Sequence, residues 1–535
     1  MSKRELLIAL GVAAAFVLAI VNIKVMAVDW QRGDTALFLQ LAENVAQRGE
    51  PISQVFANTQ AFLEGKTLWA PVDQVASSPL APPTVDERNM LPFHAYSTLY
   101  ITGALTRVLP SNIVVFTQMV VSFIGLALLC YVLLRRAKIS ITAALAFSLL
   151  VVSHPAWSES LLEGQPYPDR LFLLLGFAFM YLVTRPMGSR LWLITLALLC
   201  ASINERAAVV AGAFTLFYTF AFRQEHTHDR NFRLALGACL FLFGNIVIKF
   251  FLHNAEYGSF LPTTSAQLWA NLTSPYLLPK LELFALVNLP FLILAFFEWK
   301  MALIAIVLML PNVIGNIGGG EKVGWATAYH TYYQPSLVLA AFVGYQRLYQ
   351  LAQLKKRQWQ VAPLLGAFVA YLCMLSPIDA APIQFGTAYV HYHFIPTLLA
   401  DGSKYFGDDG RAINLTIHQM HAAVPEHTTI STVEAGMPIF YKHDVIRVFP
   451  IDLERADYAL MSYEETPTAS TRYFGAVSFL GQVQQKRLDT LILHRMQSDG
   501  YDFDHARKFP LLGLALVRRL PGQASGHYLG DSRND

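Results

Sequence analysis

Long apolar runs separated by short polar segments recur along the chain as far as about residue 377. Runs of roughly 15 to 25 apolar residues are long enough to cross a lipid bilayer as helices. The first run follows Lys3 and Arg4, as in a signal peptide, but its length and the lack of a small-residue cleavage site predict a retained helix. The pattern predicts about eleven transmembrane helices, at residues 5–28, 112–134, 139–153, 169–184, 190–203, 206–222, 233–252, 281–298, 301–316, 334–350 and 360–377.

A different pattern occupies the long segment 29–111 between the first two runs. Its stretch "TALFLQLAENVAQR" places Leu37 and Leu41 on one face of a helix and Gln40 and Glu43 opposite them. This predicts an amphipathic helix along the outer surface. Ordered loops of this length are usually functional.

The chain changes character after residue 377. We expect a helix at "RAINLTIHQMHAAV", strands at "TTISTV", "DVIRVFP" and "DYALMSY", and a disordered tail at "PGQASGHYLGDSRND". No glycine-rich phosphate loop or nucleophile elbow is present, so a support or acceptor-binding role is expected. The predicted domains are a transmembrane domain at 1–377, which includes the loop 29–111, and a small α/β domain at 378–535.

Composition excludes a soluble protein. Hydrophobic residues make up 54% of the 535 positions and charged residues only 14%, which one soluble core cannot accommodate. The net charge of +3 gives no reason to expect a nucleic-acid partner. The four cysteines lie inside apolar runs, and we interpret them as packing residues.

Charge placement predicts the orientation in the membrane. Lysine and arginine collect in alternate short loops, such as "RRAK" and "KKR", and the positive-inside rule assigns these loops to the cytoplasm. The N-terminus is then cytoplasmic, and both the loop 29–111 and the C-terminal domain are extracytoplasmic.

The loops assigned to the outside contain ionisable residues at or near the ends of apolar runs. Such groups are costly at the edge of a bilayer unless they pair, face a cavity or bind a ligand. Single acids at helix starts, such as Asp34, Asp169 and Glu205, are also ordinary N-terminal caps, and histidines can anchor helices at the interface. The convergence of these groups on one side of the membrane favours a site, with these members: Asp29, Asp34, His94, His154, Glu159, Asp169, Arg170, Glu205, Arg206, Lys322 and His330.

The order of several motifs resembles a known family. The segments are "GDTALFLQLAENVAQRGEPIS", "NMLPFHAYSTLYITGAL", "YPDRLFLLLGFAFMYLV", "INERAAVVAGAFTLFY", "AYHTYYQPSLVLAAFVGYQRL" and "VPEHTTISTVEAGMPIFYKHDVIRVFP". Together they resemble the bacterial and archaeal membrane proteins of domain of unknown function 2079, which are similar in architecture to the type C glycosyltransferases. The family's "HPE" stands here as Tyr167-Pro168-Asp169, and its "KED" as Asn204-Glu205-Arg206.

The resemblance implies a GT-C-like fold and a glycosyltransferase of the bacterial inner membrane that serves the cell envelope. Its donor would be a sugar linked to polyprenyl phosphate, and its acceptor a glycan, a lipid or a protein. Type C enzymes carry a catalytic aspartate just after the first span, which corresponds to Asp34, with Asp29 second. A carboxylate there would take the proton of the acceptor hydroxyl.

The other candidates would bind substrate. Cations or a divalent metal would hold the donor phosphate, and no Asp-x-Asp pair argues strongly for a metal. We expect Asp34, His94, Glu205 and His330 to approach one outward-facing cavity. The candidates for the phosphate are Arg170, Arg206, Lys322 and His330, and those for orienting acceptor or metal are His94, Asp169 and Glu205, with Tyr332 as a further substrate-binding residue.

Two other classes of function compete with the enzyme. A transporter or flippase of a lipid-linked or small polar substrate would also be polytopic, but it should show charges in mid-span and Gly/Pro-broken helices in corresponding halves of the chain. The sequence shows no such duplication. A non-catalytic scaffold gives no reason for acids to collect beside the membrane in the first loop. We therefore favour the glycosyltransferase.

Overall fold

The structure is a computed structural model, and it describes most but not all of the chain. The described residues are 1–26, 33–63, 86–154, 166–186, 190–222, 229–252, 264–274, 277–314, 331–357, 360–374, 408–433, 436–450, 452–465, 471–474 and 492–520.

Helices dominate the first part of the described chain. In order, they are α1 (Lys3–Met26), α2 (Gly33–Arg48), α3 (Gln54–Leu63), α4 (Thr98–Thr106), α5 (Ser111–Arg136), α6 (Ile141–Val152), α7 (Leu171–Val183), α8 (Arg190–Ile203), α9 (Glu205–Ala221), α10 (Arg230–Ile246), α11 (Ser265–Leu272), α12 (Leu277–Ala295), α13 (Trp299–Ile314), α14 (Gln334–Leu354), α15 (Val361–Met374), α16 (Asp408–Ala422) and α17 (Met437–Phe440). The strands are β1 (Ile52–Ser53), β2 (Arg88–Asn89), β3 (Thr429–Thr432), β4 (Val445–Val448), β5 (Tyr458–Glu465), β6 (Thr471–Phe474), β7 (Tyr501–Phe509) and β8 (Leu514–Arg519).

Each apolar run predicted from the sequence falls on one of these helices, from α1 to α15. Four stretches of the described chain are long and apolar enough to cross a membrane: Lys3–Asn22, Ser111–Arg136, Arg230–Phe251 and Phe284–Ile314. Ile141–Val152, Arg190–Ile203 and Val361–Leu372 are shorter apolar helices. The helical membrane character of the chain is therefore clear, and the number of helices that span remains a prediction.

The chain divides into two compact units. The helical unit comprises Met1–Val25 and Leu91–Gly402, and the mixed unit comprises Met26–Met90 and Ser403–Asp535. The sequence pattern predicts that the loop 29–111 belongs to the transmembrane domain. In the structure most of that loop groups with the C-terminal residues instead.

Glycines allow close helix contacts inside the helical unit. A Cβ atom on Gly212 of α9 would lie 2.5 Å from the backbone nitrogen of Phe241 in α10. A Cβ atom on Gly344 of α14 would lie 1.9 Å from the carbonyl oxygen of Leu294 in α12. Helices this close have little freedom to shift, so the residues that precede α9 and α14 are held in place.

The mixed unit is built on a mixed sheet. Its strands run in the order β4-β3-β5-β8-β7. Strand β6 pairs with the C-terminal half of β5, Ser462 to Glu465. Strands β3, β4 and β5 are parallel and correspond to the three segments predicted as strands. Strands β7 and β8 form an antiparallel pair that the sequence pattern did not reveal.

The amphipathic helix α2 belongs to the core of the mixed unit. It packs against α3 and α17. The assignment of Gln40 to a polar outer face was wrong, because its side chain is buried and its Oε1 accepts hydrogen bonds from the Ser53 hydroxyl (2.7 Å) and from the backbone nitrogens of Gln54 (3.1 Å) and Val55 (3.2 Å). Its amide donates to the Tyr441 carbonyl at 3.2 Å. One glutamine therefore joins the first loop to the C-terminal residues.

Candidate active site

Four segments that precede helices of the helical unit meet in one buried polar cluster, which we call the Asp169 cluster. The segments lead into α4, α7, α9 and α14. Its members are His94, Tyr96, Asp169, Arg170, Asn204, Glu205, Arg206, Thr331 and Tyr332.

Asp169 is the centre of this cluster. It lies in the short 3-10 turn Pro168–Arg170 before α7, with 3% of its surface exposed. Its carboxylate accepts hydrogen bonds from the Tyr96 hydroxyl at 2.9 Å, from the Tyr332 hydroxyl at 2.5 Å and from the Asn204 amide. A buried carboxylate needs such donors, because an unpaired charge is very costly away from water. The Asp169 side chain thus joins three segments.

Asn204 links this carboxylate to a helix end. Its Oδ1 accepts from the backbone nitrogen of Ala207 at 2.7 Å, which makes Asn204 the N-cap of α9. Its amide nitrogen donates to both Asp169 and the Tyr332 hydroxyl. The N-cap of α9 is therefore Asn204, and the Glu205 carboxylate is not needed for this cap.

Glu205 pairs with His94. The His94 Nδ1 lies 3.2 Å from Oε1 of Glu205, and the backbone nitrogen of Ala95 donates to Oε2 at 3.0 Å. Burial alone would raise the pKa of Glu205, but the hydrogen bond with His94 and the electrostatic interactions with His94 and Arg206 outweigh burial and lower it. A carboxylate bonded to Nδ1 fixes the orientation of the imidazole ring.

Two arginines lie beside the acids. Arg170 is 2% exposed and its Nη1 donates to the Thr331 hydroxyl at 2.7 Å. The Arg206 guanidinium lies 5.8 Å from the centre of the Tyr332 ring.

Burial and the charge of Asp169 raise the pKa of Tyr332, so its phenol stays protonated and donates to the carboxylate.

A second buried cluster, the His154 cluster, lies in the same unit and contains His154, Asn288, Tyr333 and Gln334. Nε2 of His154 lies 3.0 Å from the Asn288 Oδ1 and 3.2 Å from the Gln334 amide nitrogen, and the Asn288 amide donates to the Tyr333 hydroxyl at 3.2 Å. All four side chains are buried.

The segment 331–334 connects the two clusters. Thr331 and Tyr332 contact Arg170 and Asp169, whereas Tyr333 and Gln334 contact Asn288 and His154. The start of α14 is therefore held from both sides by hydrogen bonds.

The structure brings together six of the residues predicted from the sequence: His94, Asp169, Arg170, Glu205, Arg206 and Tyr332. Asp29, Lys322 and His330 lie outside the described residues. Asp34 lies in the first turn of α2, in the mixed unit, and its side chain is also outside the description. Of the four residues expected to share a cavity, the described contact is that of His94 with Glu205.

Sequence reasoning missed the neutral members of both clusters. Tyr96, Asn204 and Thr331 lie inside motifs that were quoted for their charged neighbours, and they carry no charge of their own. Asn288 had a usable signal, because it is a lone amide inside the run "FALVNLPFL". In the described part of the chain, no three His, Cys, Asp or Glu side chains are grouped so that they could hold a metal ion.

Fold and site together define a helical membrane protein with buried acids, a histidine and arginines at the ends of its helices. Comparison with protein-family models gave no match, and neither did comparison with curated proteins. Among solved structures, the crystal structure of ArnT from Cupriavidus metallidurans bound to undecaprenyl phosphate matches 97% of this chain and 99% of its own, with 14% identity and a TM-score of 0.46. Values this low leave the activity to be inferred from the site itself.

Proposed function

We propose that this chain is a membrane glycosyltransferase, which transfers a sugar from a polyprenyl-phosphate-linked donor to an acceptor on the outer face of the membrane. In this reaction the acceptor oxygen attacks the anomeric carbon of the donor. The bond from that carbon to the phosphate oxygen breaks, and polyprenyl phosphate leaves. The proton of the acceptor hydroxyl passes to a base.

The observation that carries the proposal is the Asp169 cluster. It places two arginines and a His94–Glu205 pair around a buried carboxylate, at helix ends of a membrane protein. Burying so many ionisable groups costs free energy, and a binding or catalytic role explains why the fold retains them. The order of the sequence motifs supports the same reaction, because it resembles domain of unknown function 2079, a family similar in architecture to the type C glycosyltransferases.

The cations have a direct role in this reaction. Charge develops on the phosphate oxygens as the donor bond breaks, and guanidinium groups stabilise it most strongly where water is excluded. We assign this role to Arg170 and Arg206. Lys322 and His330 remain proposed partners in the same role.

The base remains Asp34, on the strength of the resemblance, with Asp29 second. His94 and Glu205 are then proposed to orient the acceptor hydroxyl. The Glu205 carboxylate fixes the orientation of the His94 ring through Nδ1.

The test is transfer of a labelled sugar from a polyprenyl-phosphate donor by the purified protein in proteoliposomes. Arg206→Gln should lower kcat/KM by about tenfold or more, since one charge-assisted contact to phosphate contributes about 1.5–3 kcal/mol. Arg136→Gln is the matched control, because Arg136 is exposed at the end of α5. Equal rates in wild type and Arg206→Gln would remove Arg206 from the mechanism, and no transfer to any acceptor fraction by the wild type would refute the enzyme.

A flippase for the lipid-linked sugar is the second candidate. The His154 cluster favours it, because Asn288 is a buried amide within a stretch long enough to span, and that helix also contains Pro290. Polar side chains inside a helix bundle can line a path for a headgroup. Movement of a labelled lipid-linked sugar between leaflets without transfer would support this function over the enzyme.

A further inference from the structure

Arg233 is an arginine that the proposed reaction does not use. It lies in the first turn of α10 and is 0% exposed. Its Nη2 donates to the carbonyl oxygen of Arg185 at 2.6 Å, just beyond the end of α7. Its Nε and Nη1 have no hydrogen-bond partner among the described residues, and the same holds for the Nε of Arg230 one turn earlier.

Further contacts join the helix ends that lie next to Arg233 in sequence or next to Arg185, its hydrogen-bond partner. The Arg190 guanidinium lies 5.2 Å from the centre of the Phe232 ring, at the start of α8. On the other side the Tyr218 hydroxyl donates to the Thr184 carbonyl at 3.3 Å. Tyr218 stacks on Phe222 with ring centres 4.7 Å apart, and Lys300 lies 5.1 Å from the centre of the Phe222 ring.

We call this group the Arg233 cluster. It gathers the ends of α7 and α9 and the starts of α8, α10 and α13. Its cations are Arg185, Arg190, Arg230, Arg233 and Lys300.

The described acids at this end do not balance these cations. Asp229 lies 3.8 Å from Arg190. Glu298 accepts a hydrogen bond from Arg347 at 2.5 Å. A guanidinium removed from water is costly unless anionic or strongly polar groups satisfy its donors.

We propose that the Arg233 cluster binds the phosphate group of an anionic ligand, either a phospholipid headgroup or free phosphate. The Arg233 guanidinium supplies hydrogen-bond donors to the phosphate oxygens, and Arg190 and Lys300 supply further positive charge. Arginine forks match the geometry of phosphate oxygens. Basic pockets between helices on the cytoplasmic side of membrane proteins bind anionic headgroups in this way.

The cluster is separate from the candidate active site. Arg170 precedes α7 and Arg185 follows its end, so the two sites lie at opposite ends of a 13-residue helix, about 20 Å apart at 1.5 Å per residue. The positive-inside rule assigns the Arg233 end to the cytoplasm. Binding there does not depend on the proposed transferase activity.

The experiment measures binding to the delipidated full-length protein in detergent. Native mass spectrometry and thermal unfolding are recorded with phosphatidylglycerol, with phosphatidylcholine and with inorganic phosphate. We expect native mass spectrometry to show phosphatidylglycerol bound to the protein, and we expect this lipid to raise the melting temperature. Phosphatidylcholine should have neither effect. A matching effect of inorganic phosphate identifies free phosphate as a ligand, and its absence identifies the lipid headgroup.

Variants locate the site. Arg190→Gln/Lys300→Gln should weaken binding about tenfold or more, and it leaves the buried Arg233 in place. Arg233→Gln should do the same if it folds. Arg136→Gln is the control, because this exposed arginine lies on the same predicted side of the membrane. Unchanged affinity in the double variant, an equal loss in Arg136→Gln, or no binding of either phosphate probe by the wild type would overturn the proposal.

Discussion

Replacement of Tyr332 by phenylalanine tests the hydrogen bonds around Asp169. The change removes one hydroxyl, keeps the ring beside Arg206 and leaves Asp169 with the donors of Tyr96 and Asn204. A hydrogen bond to a charged acceptor contributes about 1.5–3 kcal/mol. We therefore expect Tyr332→Phe to lower the free energy of unfolding by about 2 kcal/mol.

Tyr345→Phe is the matched control. Tyr345 lies in α14 and is buried, as Tyr332 is, but its hydroxyl donates to a neutral acceptor, the carbonyl oxygen of Ala143, at 3.1 Å. Hydrogen bonds between neutral groups in membrane proteins average about 0.6 kcal/mol. The two identical substitutions should therefore differ by about 1–2 kcal/mol because of the charge on Asp169.

Equilibrium unfolding of the purified variants in mixed detergent micelles measures this difference, and a double-mutant cycle assigns it. In an Asp169→Asn background the cost of Tyr332→Phe should fall to that of Tyr345→Phe, since an amide oxygen remains as a neutral acceptor. A cost that stays the same in both backgrounds, or one no larger than that of Tyr345→Phe, would refute a charge-assisted bond from Tyr332 to Asp169.

Three further predictions address other parts of the molecule. Asp34→Asn should fold normally, because an amide of the same size replaces the carboxylate in the first turn of α2, and should lose about two to four orders of magnitude in sugar transfer. Asp29→Asn should lose less in the same assay, and an active Asp34→Asn protein would leave Asp34 with a structural role at the start of α2. Gln40→Ala should destabilise the protein by about 3 kcal/mol in the unfolding assay, since three buried donors lose their common acceptor. Asn44→Ala, which removes one bond to the Ile52 carbonyl, should cost only about 1 kcal/mol, and equal costs would contradict the central role of Gln40. A cysteine at Ser403, in a variant without the native cysteines, should react with an impermeant maleimide added to intact cells, whereas protection from outside would invert the predicted topology.

Hydropathy was enough to locate the longer apolar helices of the helical unit, because a bilayer imposes length and apolarity on each one separately. The short helices α4 and α11 were not predicted, since they lack such a run. The starts of α9 and α14 were visible in the same way, as charged or polar residues at the edges of apolar runs. Local patterns also located β3, β4 and β5 in the mixed unit. These features depend on neighbours in sequence, which a pattern can show.

The long-range pairings were not predictable. Gln40 looks like a solvent-facing residue of an amphipathic helix, and only the Tyr441 carbonyl and the turn after Ser53 make it a core residue. Tyr96 and Asn204 are uncharged, so a search for ionisable residues passes over them although they hold Asp169. A charge is visible in one residue, whereas a hydrogen-bond network depends on partners that are up to hundreds of positions away.

The division of the mixed unit between two chain segments sets an order of events during synthesis. Residues 26–90 leave the ribosome before the rest of the unit, and the intervening residues 91–402, 312 in number, are synthesised in between. At about 5–20 residues per second, this gap corresponds to about 15–60 s. Throughout that interval Phe38, Leu39 and Leu41, which are buried in the finished protein, lack the C-terminal part of their unit. A chaperone that binds residues 26–90 during this interval would therefore raise the yield of folded protein, although it does not bind the folded protein.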